Sequence, residues 1–232
     1  ERALAAEDSA RSVLGVTNSE GGGAGFSRAQ AALATSHGFS GAYAGTSHSL
    51  YASVLAGEGA AMQRDFASHS ARHLDDLEGP DTIGQRAGAR AVARLNSRRV
   101  PSGTMPVIFD PRVGNSLISH LLGAIAGPSV TRKATFLLDS MGQRILPEGL
   151  SIVDDPLRER GLRSRPFDGE GLPTGRRRFV DDGTLTGWML DSASSGSNPP
   201  AMPRAAAARR VWARATCIWK AAPRACGACS RT

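Results

Sequence analysis

Val107-Ile108-Phe109-Asp110-Pro111-Arg112-Val113-Gly114-Asn115-Ser116-Leu117-Ile118-Ser119-His120-Leu121-Leu122-Gly123-Ala124-Ile125-Ala126-Gly127 changes its hydrophobic rhythm partway. Behind the linker Val100-Pro101-Ser102-Gly103, the apolar run Met105 to Phe109 reads as a short buried strand. Asp110-Pro111 then makes a good helix start. Residues 112–126 follow as a helix, with Val113, Leu117, Leu121 and Ala124 on one stripe. One stretch thus passes from a short continuous apolar run to a period near 3.6, and the chain is expected to be α+β.

Upstream, residues 1–12 read as the end of a helix. From Val13 to about Ser70, small and apolar residues alternate with polar ones, and glycines cluster at Gly21-Gly22-Gly23, Gly38, Gly41, Gly45 and Gly57-Glu58-Gly59. That pattern predicts an antiparallel strand meander, with hairpin turns at the glycines and one solvated face over Gly41 to Leu55. After Gly79-Pro80-Asp81 the period changes again. Ile83, Ala87, Ala91, Val92 and Leu95 mark an amphipathic helix from about Asp81 to Arg98 or Arg99, with Arg86, Arg90 and Arg94 on a solvated face. Downstream, strands are expected at 135–139, 143–147 and 150–153. A hairpin should join Arg177–Val180 to Leu185–Leu190 across Asp181-Asp182-Gly183-Thr184. No internal repeat is found. The expected organisation is a strand-rich central domain over 1–99, an incomplete C-terminal α+β domain over 104–196, and a disordered tail over 197–232.

Composition excludes some functions and misleads about another. Hydrophobic content of 41% and charged content of 21% are ordinary for a globular chain. The longest apolar run, Leu117 to Ala126, is broken by Ser119, His120 and Gly123 and is too short to cross a bilayer. Net charge is +7, yet residues 199–232 hold Arg204, Arg209, Arg210, Arg214, Lys220, Arg224 and Arg231 and no acid. The preceding residues carry 21 basic and 21 acidic side chains, so no nucleic-acid partner is expected there, and nucleic-acid association through the basic tail stands as a lesser alternative. All three cysteines lie in the same tail, Cys217, Cys226 and Cys229. Cys226-Gly227-Ala228-Cys229 lacks the second ligand pair that a zinc site needs. A cysteine-free body fits a reducing compartment, and a cytoplasmic location is expected.

Other constellations are weighed by geometry. Gly21-Gly22-Gly23-Ala24-Gly25 lacks the following Lys-Ser/Thr of a phosphate loop. His69 and His73, with Asp75 and Asp76, could hold a metal if they shared a helix face; this is the independent-metallopeptidase alternative. Solvated loop residues explain the group equally well. Ser47-His48-Ser49 alternates faces on a strand, which separates hydroxyl from imidazole. Asp154-Asp155 and Asp168-Gly169-Glu170 are paired carboxylates in Pro/Gly-bounded turns, where binding of local backbone amides is the leading reading.

Several motifs together resemble one family. Val107–Val113, Ser119–Gly127, Asp154-Asp155-Pro156-Leu157, Pro166-Phe167-Asp168-Gly169-Glu170-Gly171 and Asp182-Gly183-Thr184-Leu185 are similar to the C-terminal domain of the TldD/PmbA family, in its PmbA/TldE branch. Asn18-Ser19-Glu20-Gly21, Gly45–Ser49 and Gly57-Glu58-Gly59 are similar to its central domain. The resemblance covers about Glu1 to Ser194. In the TldD branch it implies a helical His-Glu-x-x-x-His zinc motif whose Glu activates the metal-bound water. The matching positions here are Ser119, His120, Leu121, Leu122, Gly123 and Ala124, and both ligand positions and the Glu are replaced. His120 falls on the Glu position. The resemblance therefore implies a subunit with no catalytic, cofactor or metal residues of its own. Its implied partner is a zinc-bearing TldD-type subunit, with which it would enclose a chamber that cleaves peptides or unfolded chains. The family's gyrase-modulator label finds no support in the neutral body.

The missing initiator Met and the start at Glu1 suggest a chain lacking the family's N-terminal domain. The tail suggests a shifted reading frame. Back-translated and read one nucleotide earlier, Asn198-Pro199-Pro200-Ala201-Met202-Pro203-Arg204-Ala205 permits Ser-Thr-Gly-His-Ala-Ala-Arg-Gly, as in family members. Thr216 to Ala222 likewise permits Asn-Leu-Tyr-Met-Glu-Gly-Gly. A frameshift between about Ser194 and Asn198 is expected.

Overall fold

The structure is a computed structural model that describes residues 1–196 and the backbone of residues 217–221. Two compact units emerge: Glu1–Ala31 with Ala42–Pro106, and Ala32–Gly41 with the described residues from Val107 onward. Antiparallel sheets and helices occur in both, so the chain is α+β.

α1 (Arg2–Arg11) leads into three strands, β1 (Val16–Ala34), β2 (Ser40–Ala56) and β3 (Gln63–Ala71), in the order β1-β2-β3, which belong to the first unit except at residues 32–41. The helix α2 (Pro80–Ala93) closes it. β2 and β3 are antiparallel, with Leu50 opposite His69 and Val54 opposite Asp65. Alternation decides the buried face: Leu50, Ala52, Val54 and Ala56 point inward with Ala67. They meet Ala6 and Ala10 of α1 and Ile83, Ala87 and Ala91 of α2. Apart from Ile83 these helix residues are alanines, which lets the backbones approach closely. A Cβ on Gly88 would lie 2.5 Å from Val13 and 2.9 Å from the Ala10 carbonyl oxygen.

Gly21-Gly22-Gly23 does not form the expected hairpin turn but lies inside β1. The glycines are required by close approach. A Cβ on Gly22 would come within 2.5 Å of the Ala3 carbonyl oxygen, and one on Gly23 would collide with the Tyr51 ring. α2 ends at Ala93, earlier than expected, and residues 97–110 have no helix or strand.

The second unit contains α3 (Pro111–Ala124), the short helix α4 (Gly127–Thr131), and strands β4 (Leu150–Asp154), β5 (Arg177–Asp181) and β6 (Thr184–Leu185). A four-residue helix, α5 (Ser192–Ser195), follows. β7 (Cys217–Ala221) completes a sheet ordered β6-β5-β4-β7. The core is built from large side chains, including Trp188, Phe179, Ile125, Leu185 and Leu190. The expected hairpin is present but its second strand is shorter than expected: β5 and β6 pair through Val180 and Leu185, and residues 186–190 hold only an isolated bridge at Met189. Asp182 and Gly183 both take positive φ, 47° and 80°, as a two-residue turn matched to strand twist requires.

Three expectations fail here. Met105–Phe109 is not a buried strand; Ile108 is 96% exposed, and no strand among the described residues pairs with the segment. An apolar run becomes a strand only where an edge receives its backbone groups. The stretch 135–139 is mostly turn and 143–147 is irregular, apart from a single bridge from Arg144 to Thr184. Within the tail expected to lack structure, residues 217–221 pair antiparallel with β4, Cys217 opposite Asp154 and Ala221 opposite Leu150. Their Cys-Ile-Trp-Lys-Ala sequence suits a strand, and β4 offers its second edge. The remainder of 197–232, including Cys226 and Cys229, lies outside the described residues.

Candidate functional site

The positions with the strongest sequence-based claim to chemistry lie on α3. Asp110 caps it: its Oδ1 accepts from the Arg112 backbone N–H at 2.8 Å and from Arg112 Nε at 3.1 Å. Pro111 occupies the first turn, where its missing N–H costs nothing. The other end is pinned, since the Ile125 carbonyl accepts from Met189 N–H at 2.9 Å and Gly127 N–H donates to the Met189 carbonyl at 2.7 Å.

The helix sits with Leu122 buried, Ile118, Leu121 and Ala124 half-buried, and Ser119, His120 and Gly123 exposed. Val113 and Leu117, expected on the buried stripe, are 49% and 47% exposed. The six positions matched to the zinc motif therefore occupy a regular helix, but their chemistry does not suit zinc. The Ser119 hydroxyl donates back to the Asn115 carbonyl at 2.9 Å, while Leu121, Leu122, Gly123 and Ala124 have no donor side chains. His120 is then the only imidazole of the six, and a structural or catalytic zinc takes at least three protein ligands. No group of three His, Cys, Asp or Glu suited to a metal occurs among the described residues.

The alternative pair is also not gathered into a site. His69 lies in β3 and its Nδ1 accepts from the Glu78 backbone N–H at 3.1 Å, whereas His73 is exposed just beyond the strand with Asp75 and Asp76. A four-residue spacing places two imidazoles together on a helix, and this segment is not helical. His48 stacks at a tilt on Phe26, with ring centroids 4.9 Å apart.

The arginine face of α2 is engaged locally. Arg86 pairs with Glu78 at 2.8 Å, Arg90 Nη1 donates to the Phe66 carbonyl at 3.3 Å, and Arg94 reaches the buried Asp65 at 3.4 Å. On the open sheet face, Glu20 accepts from the Ser53 hydroxyl at 2.8 Å and from Arg64 at 3.1 Å. Those two hydrogen bonds, Ser53's first, hold the Glu20 carboxyl below the usual carboxylate range.

Asp168 behaves as a turn residue: its Oδ1 accepts from the backbone N–H groups of Glu170 and Leu172, each at 2.9 Å. Sequence reasoning did not foresee the cluster beside it. Asp191 caps α5 and accepts from the Ser194 hydroxyl, and Glu170 Oε2 accepts from Ser192 Oγ at 2.7 Å. A Cβ on Gly127 would collide with Ser194, so the start of α4 is built around this cluster. Asp191-Ser192-Ala193-Ser194 does carry a local capping pattern that could have revealed it. The link from Glu170 to Ser192 leaves no such local trace.

Comparison with known proteins accounts for both units. The family profile described as the PmbA/TldA metallopeptidase central domain matches residues 1–95. The profile of the PmbA/TldA metallopeptidase C-terminal domain matches residues 102–209. Metalloprotease PmbA of Escherichia coli O157:H7 is 43% identical over 180 residues, covering 78% of this chain and 40% of that protein. The crystal structure of TldE from Thermococcus kodakarensis aligns with a TM-score of 0.70 at 26% identity, over 83% of this chain and 43% of that one. A Thermotoga maritima protein bearing a gyrase-modulator label aligns with a TM-score of 0.80 over 92% of this chain and 49% of that one. At its 23% identity the likeness is one of fold. The chain spans less than half the length of these relatives. With two consecutive domain types of one family matched in order, and with 43% identity to a PmbA, the chain belongs to the PmbA/TldD metallopeptidase family.

Proposed function

We propose that this chain is a non-catalytic, TldE/PmbA-type subunit of a cytoplasmic TldD/TldE metalloprotease complex that processes peptides and unfolded chains. Zinc and the peptide-cleaving chemistry belong, in this reading, to a TldD-type partner. The observation that carries the proposal is the make-up of α3. Where the resemblance assigns zinc donors and the general base, the helix presents Ser119, His120, Leu121, Leu122, Gly123 and Ala124, with the serine hydroxyl turned onto its own backbone. Similarity to the Thermococcus kodakarensis TldE supports the branch assignment. The exposed Val107, Ile108, Phe109, Val113 and Leu117 support a reading in which a second polypeptide covers the start of α3.

Co-expression with a TldD-type protein tests this. The two should purify together, zinc should follow the TldD-type protein, and peptidase activity should require it. Stoichiometric zinc and peptidase activity in the isolated chain would sink the proposal.

A further inference from the structure

The near-zero charge of the body conceals a local excess. Between residues 155 and 178 stand Arg158, Arg160, Arg163, Arg165, Arg176, Arg177 and Arg178, against Asp155, Glu159, Asp168 and Glu170. Two of those acids are occupied inside the unit. Asp168 is buried on backbone amides, and Glu170 accepts from Ser192.

The segments that carry these arginines adjoin because the chain folds back on itself. Arg165 N–H donates to the Pro156 carbonyl at 2.9 Å, and Thr174 Oγ1 donates to the Arg165 carbonyl at 2.6 Å. Arg176 lies 3.6 Å from Asp155, and Arg177 stands opposite Asp154 in the sheet. The loop also holds its own shape. The Ser164 hydroxyl donates to the Arg158 carbonyl at 2.7 Å, and Gly161 N–H donates to the same carbonyl at 3.1 Å. A loop fixed in this way loses less conformational freedom on binding. Arg158 and Arg177 are exposed and make no ion pair among the described residues. Leu157 and Leu162, also exposed, stand among the arginines. Phe167, the one aromatic residue of the stretch, is buried, so the patch offers no stacking platform for bases.

We propose that the loop of residues 155–165, with the adjoining segment 173–178, is a docking surface for acidic segments of peptide substrates that also carry apolar side chains. Arg158 and Arg177 supply complementary charge and guanidinium forks for carboxylates, and the two leucines supply apolar contact. The choice of a peptide substrate as occupant rests on the companion-subunit reading.

The test uses the full chain and a fluorescein-labelled peptide of Glu, Asp and Leu, followed by anisotropy. A Lys/Leu peptide and a single-stranded oligonucleotide of equal length serve as comparisons. The acidic peptide should bind, the Lys peptide should not, and added salt should weaken the complex. The double variant Arg158→Glu with Arg177→Glu should weaken binding by about tenfold or more, since each exposed pair contributes modestly and reversal adds repulsion. Arg209→Glu with Arg210→Glu in the tail should leave it unchanged. Retained binding in the loop variant, or loss in the tail variant alone, overturns the proposal. So does an oligonucleotide that binds as tightly as the peptide and is lost with the same loop variant. If circular dichroism shows the reversed variant misfolded, Arg158→Gln with Arg177→Gln gives the same reading. Pairing with a TldD-type protein separates the two hypotheses. A chain that pairs but ignores the acidic peptide sinks this proposal alone, and a chain that binds the peptide but never pairs sinks the companion reading alone.

Discussion

Two helices of fourteen residues begin alike and end differently. α2 and α3 each place proline at the start, and each carries an apolar stripe. α2 buries Ile83, Ala87 and Ala91 completely against α1 and the sheet. α3 buries only Leu122 within its span and leaves Val113 and Leu117 about half exposed. Amphipathic spacing states that a helix has a face to bury; the partner element decides whether the face is buried within this chain.

The largest expected contrast lies between those faces. Ile83→Ala should destabilise the first unit by about 2–5 kcal/mol, the usual cost of a cavity in a filled core. Leu117→Ala should change stability by within about 0.5 kcal/mol, because that side chain is already half solvated. Urea unfolding of each variant, followed by circular dichroism, reads both. Equal losses would mean that the stripe of α3 is covered after all.

Glycines sharpen the contrast with opposite signs. Gly88 of α2 faces Val13 and Ala10, so Gly88→Val should cost about 1–3 kcal/mol through overpacking. A Cβ on Gly123 of α3 would meet nothing within 4 Å, and its φ is not positive. Gly123→Ala should then stabilise by about 0.4–1 kcal/mol, by restricting the unfolded chain. A Gly123→Ala protein with a lower melting temperature would show an unrecognised neighbour at that face.

The caps differ too. Asp110 accepts the Arg112 N–H at the start of α3, whereas Gly79 at the start of α2 has no side chain to offer. Asp110→Ala should cost about 0.5–2 kcal/mol locally. Faster hydrogen exchange at the first amides of α3, without a change in α2, is the expected outcome.

These contrasts also mark what the sequence could express. The three-strand meander and the stripe of α2 were legible because each depends on a single period continued over many residues. α3 carries two overlapping stripes, Val113-Leu117-Leu121-Ala124 and Ile118-Leu122-Ile125, and periodicity alone cannot choose between them. The structure buries Leu122 and Ile125 of the second and leaves Val113 and Leu117 of the first about half exposed. Met105–Phe109 has strand composition but pairs with no strand among the described residues, and pairing is a property of the fold rather than of the segment. Gly21–Gly23 looked like a turn because the approach of α1 and Tyr51 is invisible locally. The lack of metal-donor side chains at Leu121–Ala124 was readable at once, since it consists only of residue identities. The link from Glu170 to Ser192 spans 22 positions and leaves no local signature.

The smallest effect belongs to the open sheet face of the first unit. Glu20 accepts from Ser53 and Arg64, on the two other strands, and these bonds lower its pKa in the folded state. A carboxyl whose folded pKa lies below its unfolded value contributes stability above the unfolded value, and loses that contribution as pH falls through the folded one. Because Glu20 is solvated, the contribution is small and sensitive to salt. Glu20→Gln should therefore lower the melting temperature slightly at neutral pH and low salt. The difference from the parent should fade on acidification below the ordinary carboxylate range, because the parent's Glu20 is then protonated. A gap that stays constant down to strong acid would mean that the glutamine disturbs the strand itself, and that the charge of Glu20 adds nothing to the ladder from Ser53 to Arg64.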